Sequence, residues 1–328
     1  MKELLAKNLY SKHKLTFNKE GKFKILMFSD VQEREDFDSD TLRNIKTMID
    51  RVNPDLIILG GDQCMGPDVC SKEKFKIFLS KLVSPLEERK IPWVHIYGNH
   101  DHDLDFDPFE QQALYEEYPF CVSKHTTEIS GVTNFMLPIY KYDSESIGFN
   151  IWGLDTHRKK EEFISEFGVE GYIDVENKPS GVGRYDLIRF DQMMWYWNSS
   201  VALEKFANGK IPSLMCMHIA PIEFASVINN PEQCGLIGNG PERLDSGFLN
   251  SGIFSEILQR GDVCCISCAH THRNNFEASF CGIKVCFDST AGMTCYGEEE
   301  TRGGRIFEID ENDPWHIVTY PYYYKDNK

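Results

Sequence analysis

Five short runs rich in apolar, β-branched and aromatic residues, at 23–28, 56–59, 93–97, 214–217 and 263–268, read as buried strands. Between the first three the period changes. Leu42, Ile45, Ile49 and Val52 recur at helical spacing until Pro54 and Asp55 break the pattern. Phe75, Phe78, Leu79, Leu82 and Leu86 mark a second helix, bent or ended near Pro85, because proline lacks the amide donor a helix interior requires. This β-α-β-α-β alternation predicts parallel strands joined by right-handed crossovers. The acidic run 33–40 reads as a solvated loop leading into the first helix, capped by Ser39 or Asp40.

After Asp101 the pattern loosens. Asp107-Pro108 suits a helix start, and strand-like runs return at 135–140 and 149–154. Residues 158–189 are charged, glycine-containing and aperiodic, which predicts a long surface loop. Phe190, Met194, Trp197 and Val201 then trace one face of an amphipathic helix. From 263 onward, short runs at 263–268, 283–287, 305–309 and 316–320 have hairpin-like spacing and suggest a second, mixed sheet.

A chain of 328 residues with 41% hydrophobic and 12% aromatic content can build a packed core. The motifs below span 30 to 272, so a single domain over 23–328, preceded by an extension at 1–22, fits better than two domains. The first 20 residues lack the continuous apolar core of a secretory signal, and no apolar stretch approaches the ~20 residues of a membrane span. Eleven irregularly spaced cysteines do not resemble a disulfide framework, so a reducing, cytoplasmic setting is expected. Cys265 and Cys268 lie three apart on a strand and face opposite ways, as core residues do. A net charge of −16 argues against a nucleic-acid partner, since phosphate backbones are held by Lys and Arg clusters.

Chemistry is concentrated where the five buried runs end. The blocks are S-D-V-Q at 29–32, G-G-D-Q at 60–63, G-N-H-D at 98–101, M-H at 217–218 and A-H-T-H at 269–272. Loops leaving the carboxyl ends of parallel strands converge on one crevice. Asp, Asn and His gathered there suit two divalent metals acting on a phosphate. Asp62, directly after Gly60-Gly61, can approach closely, and His270 and His272, two apart in extended chain, project from one face.

Five such blocks in this order resemble the calcineurin-like metallophosphoesterase superfamily, whose blocks run D-x-H, G-D, G-N-H-D/E, a lone His and G-H-x-H. The resemblance covers roughly 23 to 310. G-D-Q-C-M-G at 61–66, Y-D-L-I at 185–188, the helix carrying Gln192 and Trp195, and the stretch 250–263 are similar to the small purple-acid-phosphatase-like members. The resemblance implies a four-layer αββα sandwich of two mixed sheets flanked by helices. It also implies two divalent ions (Mn, Fe, Zn or Ni) and hydrolysis of a phosphate ester by a water held between them, its pKa lowered by the cations.

On that reading Asp30, Gln32, Asp62 and His272 hold one ion, and Asp62, Asn99, His218 and His270 hold the other, with Asp62 bridging. His100 binds no metal and assists the leaving group, while Asp101 orients its loop. Three positions depart from the family. Gln32 replaces the histidine of D-x-H, Ala269 replaces a glycine, and Met65 stands where purple enzymes have a metal-bound tyrosine and calcineurin-type enzymes an aspartate. Met65 therefore supplies neither a chromophore nor a supporting carboxylate. These departures motivate an alternative, a binding protein of the same fold with impaired catalysis. Candidate substrate contacts are His102, His157 and Arg302.

Overall fold

The computed structural model describes residues 13–66, 68–69, 71–123, 128–168 and 182–327; most of the expected N-terminal extension lies outside them. Strands β2 (Lys22–Phe28), β3 (Leu56–Leu59) and β4 (Trp93–His95) pair in parallel, with Ile25 opposite Leu56 and Ile57 opposite Trp93. Helices α1 (Ser39–Val52) and α2 (Lys72–Glu88) make the two connections. A carboxylate does cap α1, but it is Asp38, which accepts from the amides of Asp40 and Thr41 at 2.8 and 2.9 Å. Helix α2 continues through Pro85. The carbonyl of Lys81, which loses its amide donor there, accepts instead from Ser84 Oγ at 3.2 Å.

The remaining strands are β1 (Leu15–Thr16), β5 (Phe135–Tyr140), β6 (Ile147–Leu154), β7 (Val182–Tyr185), β8 (Ser213–Met217), β9 (Ile237–Asn239), β10 (Ser246–Gly247), β11 (Val263–Cys268), β12 (Asn275–Phe280), β13 (Ile283–Phe287), β14 (Gly303–Asp310) and β15 (Val318–Tyr323). One sheet has the order β15-β14-β2-β3-β4 and the other β1-β5-β6-β8-β11-β13-β12-β9; β7 and β10 form a separate parallel pair. Within the larger sheet β6, β8, β11 and β13 run parallel. The last two strands do not extend this sheet, as hairpin spacing suggested. β14 pairs antiparallel with β2 and completes the first sheet.

Alternation along each strand builds the layers. Phe23, Ile25 and Met27 of β2 meet Leu214, Cys216 and Cys265 between the sheets, while Leu26 and Phe28 face Ile45, Met48 and Phe78 of the helices. On the far side, Trp152, Met215, Ile266 and Cys268 pack against α5 (Phe190–Ala207) and α7 (Ile253–Arg260). The architecture is thus an αββα sandwich, and Cys265 and Cys268 do face different layers.

Two further expectations fail. The stripe Phe190, Met194, Trp197, Val201 is not the buried face of α5: Phe190 is 73% and Met194 42% exposed, and Trp195, Tyr196, Ser199 and Leu203 turn inward. Gln192 and Ser200 on that inner face are hydrogen-bonded, Ser200 Oγ donating to Asp262 at 2.5 Å, so polar residues line it and hydrophobic period misidentifies it. The expected loop at 158–189 contains α4 (Lys160–Phe167), closed by Gly168 at φ 62°, and β7; residues 169–181 lie outside the described part. The other helices are α3 (Pro108–Glu116), which starts at Asp107-Pro108 as expected, and α6 (Phe224–Asn229). No helix among the described residues is long and apolar enough to cross a membrane.

Candidate metal centre

Every block singled out above sits just past the carboxyl end of a parallel strand. Asp30 and Gln32 follow β2, Asp62 follows β3, and Asn99 to Asp103 follow β4; His218 follows β8, and His270 and His272 follow β11. The two parallel groups belong to different sheets, so the site straddles their shared edge.

The close approach has a backbone cost. Asp30, Gln32, Asp62 and His270 adopt φ of 50°, 42°, 51° and 77°, in the left-handed region that side chains other than Gly, Asn and Asp disfavour. Ala269 is not among such residues, so its methyl is tolerated in place of glycine. Two glycines give the side chains room. A Cβ at Gly61 would lie 2.3 Å from His218 Nδ1, and one at Gly98 would lie 2.2 Å from Asp62 Oδ1.

The ligand atoms of Asp62, His218 and His270 all lie within 4.8 Å of one another. His218 Nε2 is 3.2 Å from Asp62 Oδ2 and 3.9 Å from Asp30 Oδ1, and His272 Nε2 is 3.1 Å from Asp30 Oδ1. The far ring nitrogens are held by carbonyls: His218 Nδ1 by Gly60 at 2.9 Å and His272 Nδ1 by Tyr296 at 2.8 Å. Nδ1–H donation there leaves each Nε2 facing the centre. Rings reinforce this, with Tyr296 stacked on His272 at 4.0 Å and Tyr185 edge-on to His270 at 4.5 Å.

Asp62 is fixed from several directions. Its Oδ1 accepts from the His100 amide at 2.8 Å and its Oδ2 from Gln32 Nε2 at 3.1 Å. Buried Asp101 accepts from the amides of Asp62, Gly98 and Gln63 at 2.8, 2.9 and 3.1 Å, tying the second and third blocks together. Three buried atoms of these blocks, Asp30 Oδ1, Asn99 Oδ1 and His218 Nε2, lack a well-formed hydrogen bond. Natural proteins rarely leave such atoms unsatisfied. An oxygen- and imidazole-rich donor set with free lone pairs fits a divalent cation.

Protonation follows the same crowding. Burial works against a charged His218, yet Asp62 and Asp30 overcome it and push its pKa up to about 9. His272, likewise buried but facing Asp30, is pushed up to about 11. Burial and the neighbouring His218 push His270 down to about 3, which keeps it neutral. Burial raises Asp62, but the adjacent histidines, His218 foremost, bring it well below the usual carboxylate range. Burial, then Asp62, pushes Asp101 up to about 7.

The centre opens into a cavity of about 620 Å³ whose inner wall includes Gln32, Asp62, His100, His270 and His272. Its outer wall comes from Arg184, Tyr185, Glu242, Arg243, Asp245 and Tyr296, of which only Tyr185 lies in a block singled out from the sequence. The expected substrate contacts are elsewhere engaged. His102 Nε2 meets buried Asp155 at 3.0 Å, and His157 Nε2 meets Gln192 at 2.9 Å. Buried Arg302 donates to the carbonyls of Gly292 and Cys295. Glu33, in the acidic run before α1, accepts from Thr41 Oγ1 at 2.6 Å beside the α1 cap.

Met65 supplies no carboxylate, yet the site does not lack one beside His100. Asp103, one 3₁₀ turn further on, contacts His100 Nδ1 through Oδ2 at 2.7 Å. The three-residue spacing in G-N-H-D-H-D was the available signal.

The sandwich and the strand-end blocks define a phosphoesterase fold, and the family comparison agrees. Residues 23–274 match the calcineurin-like phosphoesterase family, to which this chain belongs. Relatives place it in the purple-acid-phosphatase-like branch. The chain is 27% identical to "Probable inactive purple acid phosphatase 14" of Arabidopsis thaliana, over 93% of this chain and 83% of that one. It is 28% identical to "Phosphatase DCR2" of Saccharomyces cerevisiae, over 90% of this chain and 52% of that one. Among solved structures, a dimetal phosphatase from Danio rerio superposes with a TM-score of 0.58 at 14% identity, covering 92% and 99% of the two chains, which speaks to the fold alone. Membership of a metallophosphoesterase family implies divalent metal ions and a phosphate-ester substrate.

Proposed function

We propose that this chain hydrolyses a phosphate ester at the strand-end centre, as one catalytic unit over 23–328. The observation that carries this reading is the convergence of Asp62, His218 and His270, whose ligand atoms all lie within 4.8 Å of one another, with Asp30 Oδ1 3.9 Å from His218 Nε2. Asp30, Asp62 and His272 would hold one divalent ion, with Gln32 beside it; Asp62, Asn99, His218 and His270 would hold a second. The carboxylates that raise His218 and His272 favour any cation between them, and a metal would replace the protons those rings otherwise carry. Bound ions supply charge neutralisation to the phosphoryl oxygens and acidify water.

The protein's own groups do the rest. The carbonyls of Gly60 and Tyr296 set the orientation of two imidazoles, and Asp101 clamps the loops that carry Asp62 and Asn99. His100 lines the cavity with its Nε2 away from Asp103, where it can deliver a proton to the departing oxygen. Free cysteines in the described part, most of them buried, support a reducing, cytoplasmic setting.

A second reading has its own support. Gln32 presents an N–H, not an oxygen, to Asp62, and the names of three relatives include the word "inactive". A protein of this fold that binds metal or phosphate without turnover would fit both. Hydrolysis of an aryl phosphomonoester by metal-loaded protein, abolished by chelator and restored by added Mn²⁺, is expected. Full metal loading with no hydrolysis across monoesters and diesters would overturn the enzymatic reading in favour of the second.

A further inference from the structure

We infer that Asp103 is a positioning residue for this site: its carboxylate, anchored by Arg158, holds the His100 imidazole with Nε2 toward the cavity. The inference rests on the proposed role of His100 as proton donor, and it adds a relay in place of the carboxylate that Met65 cannot provide.

Geometry carries it. His100 and Asp103 bracket a single 3₁₀ turn, closed by the Asp103 amide donating to the His100 carbonyl at 3.1 Å. This brings Asp103 Oδ2 to 2.7 Å from His100 Nδ1. The other oxygen, Oδ1, is taken by the Arg158 guanidinium, and the Asp103 side chain is only 9% exposed. Arg158 reaches in from the loop after β6 and is itself tied to Glu162 of α4 at 3.2 Å. Both carboxylate oxygens are therefore occupied, which removes the freedom Asp103 would otherwise have to swing away. The chain also makes room for this arrangement: a Cβ at Gly66 would lie 2.5 Å from Asp103 Cβ and 2.3 Å from the His100 carbonyl. Gly66 follows Met65 directly, so this block contributes space where it lacks a carboxylate. His100 Nε2 has no hydrogen-bond partner among the described residues, and the ring lines the cavity.

The chemistry balances without further reagents. Water adds its oxygen to phosphorus and releases a proton to solvent, from which His100 is later reprotonated, and the electron pair of the breaking P–O bond passes to the leaving oxygen. The His100 imidazolium gives that oxygen its Nε2 proton and becomes neutral imidazole. Asp103 remains a carboxylate throughout and keeps Nδ1–H, the part a buried aspartate plays beside a catalytic histidine elsewhere. Such help matters most when the leaving oxygen is basic. A phosphomonoester of an alkyl alcohol needs the proton, whereas a nitrophenyl ester departs nearly without it.

The test compares native protein with Asp103→Asn, Asp103→Glu, Arg158→Gln and His100→Ala on nitrophenyl and alkyl phosphates. We expect Asp103→Asn to lower kcat on the alkyl ester by roughly 10–10³-fold but on the nitrophenyl ester by only about threefold, with KM little changed. Arg158→Gln, further from the centre and half-exposed, should show the same selectivity more weakly, and Asp103→Glu should recover part of the loss. In the metal-free protein, NMR should show a downfield His100 Nδ1–H resonance that moves upfield in Asp103→Asn. The inference is overturned if Asp103→Asn and Arg158→Gln leave leaving-group selectivity and that resonance unchanged while His100→Ala shows the selective loss. If His100→Ala shows none either, the proposed role of His100 falls with it.

Discussion

Gly61 offers a quantitative test of how closely the centre is packed. It combines a φ of +100° with an approach that leaves no space for a methyl. In Gly61→Ala the new Cβ would meet His218 Nδ1 at 2.3 Å, His218 Cγ at 2.6 Å and the Gly98 amide at 2.9 Å. The ring cannot yield cheaply, being fully buried and bonded to the Gly60 carbonyl at 2.9 Å. Left-handed backbone costs an L residue about 1–2 kcal/mol, and overpacking adds about 1–3 kcal/mol. The expected loss is thus about 2–5 kcal/mol. Melting entropy of about 2.1 cal/mol/K per residue over this 328-residue chain converts that to a fall of roughly 3–7 °C in Tm. Gly168→Ala is the control, since Gly168 has φ +62° but nothing within 4 Å of its would-be Cβ, and it should cost only the backbone part. Calorimetry with elemental analysis measures both effects, and Gly61→Ala should also bind less metal. Equal melting temperatures for the two variants, with native metal content, would refute the packing argument.

Three further outcomes are expected. Asp62→Ala should lose both ions while His218→Ala mainly weakens one; full metal content in Asp62→Ala, by elemental analysis, would remove Asp62 as the bridge. Gln32→His should tighten the weaker ion site by roughly tenfold, whereas two equally tight sites in calorimetric titrations of both proteins would show that Gln32 takes no part. Arg305→Met leaves Asp288, its fully buried partner at 2.9 Å, without a countercharge, at a cost of about 3–5 kcal/mol. Burial, opposed by Arg305, pushes Asp288 up to about 6, so the folded state binds its proton more tightly than the unfolded chain and stability falls as pH rises through that range. Losing Arg305 raises Asp288 further, so chemical denaturation should show a larger cost at about pH 8 than at about pH 5; an equal cost would contradict the assignment.

What the sequence revealed and what it hid have physical causes. Val263–Cys268 and Ser213–Met217 are strands buried on both faces, so they read as unbroken apolar runs, and the residues at their ends are placed by topology alone. That is why the order of the blocks could place Asp30, Asp62, His218, His270 and His272 at one crevice. Helix α5 was legible as a helix but not in its orientation, because apolar residues surround it and polar Gln192, Ser199 and Ser200 lie on its inner side. Asp103 was overlooked because the expected carboxylate position was sought three residues after Asp62, while the chain supplies it three residues after His100. The outer cavity wall combines β7 with residues 242–245, segments without hydrophobic period that meet only through tertiary packing.

In the proposed centre Asp62 lies between two divalent ions. Anomalous diffraction from crystals equilibrated with Mn²⁺ tests it directly. Two peaks are expected roughly 3.5–4 Å apart on either side of the Asp62 carboxylate, one beside Asp30 and His272 and the other beside Asn99, His218 and His270. A single peak, or a pair remote from Asp62, would contradict it.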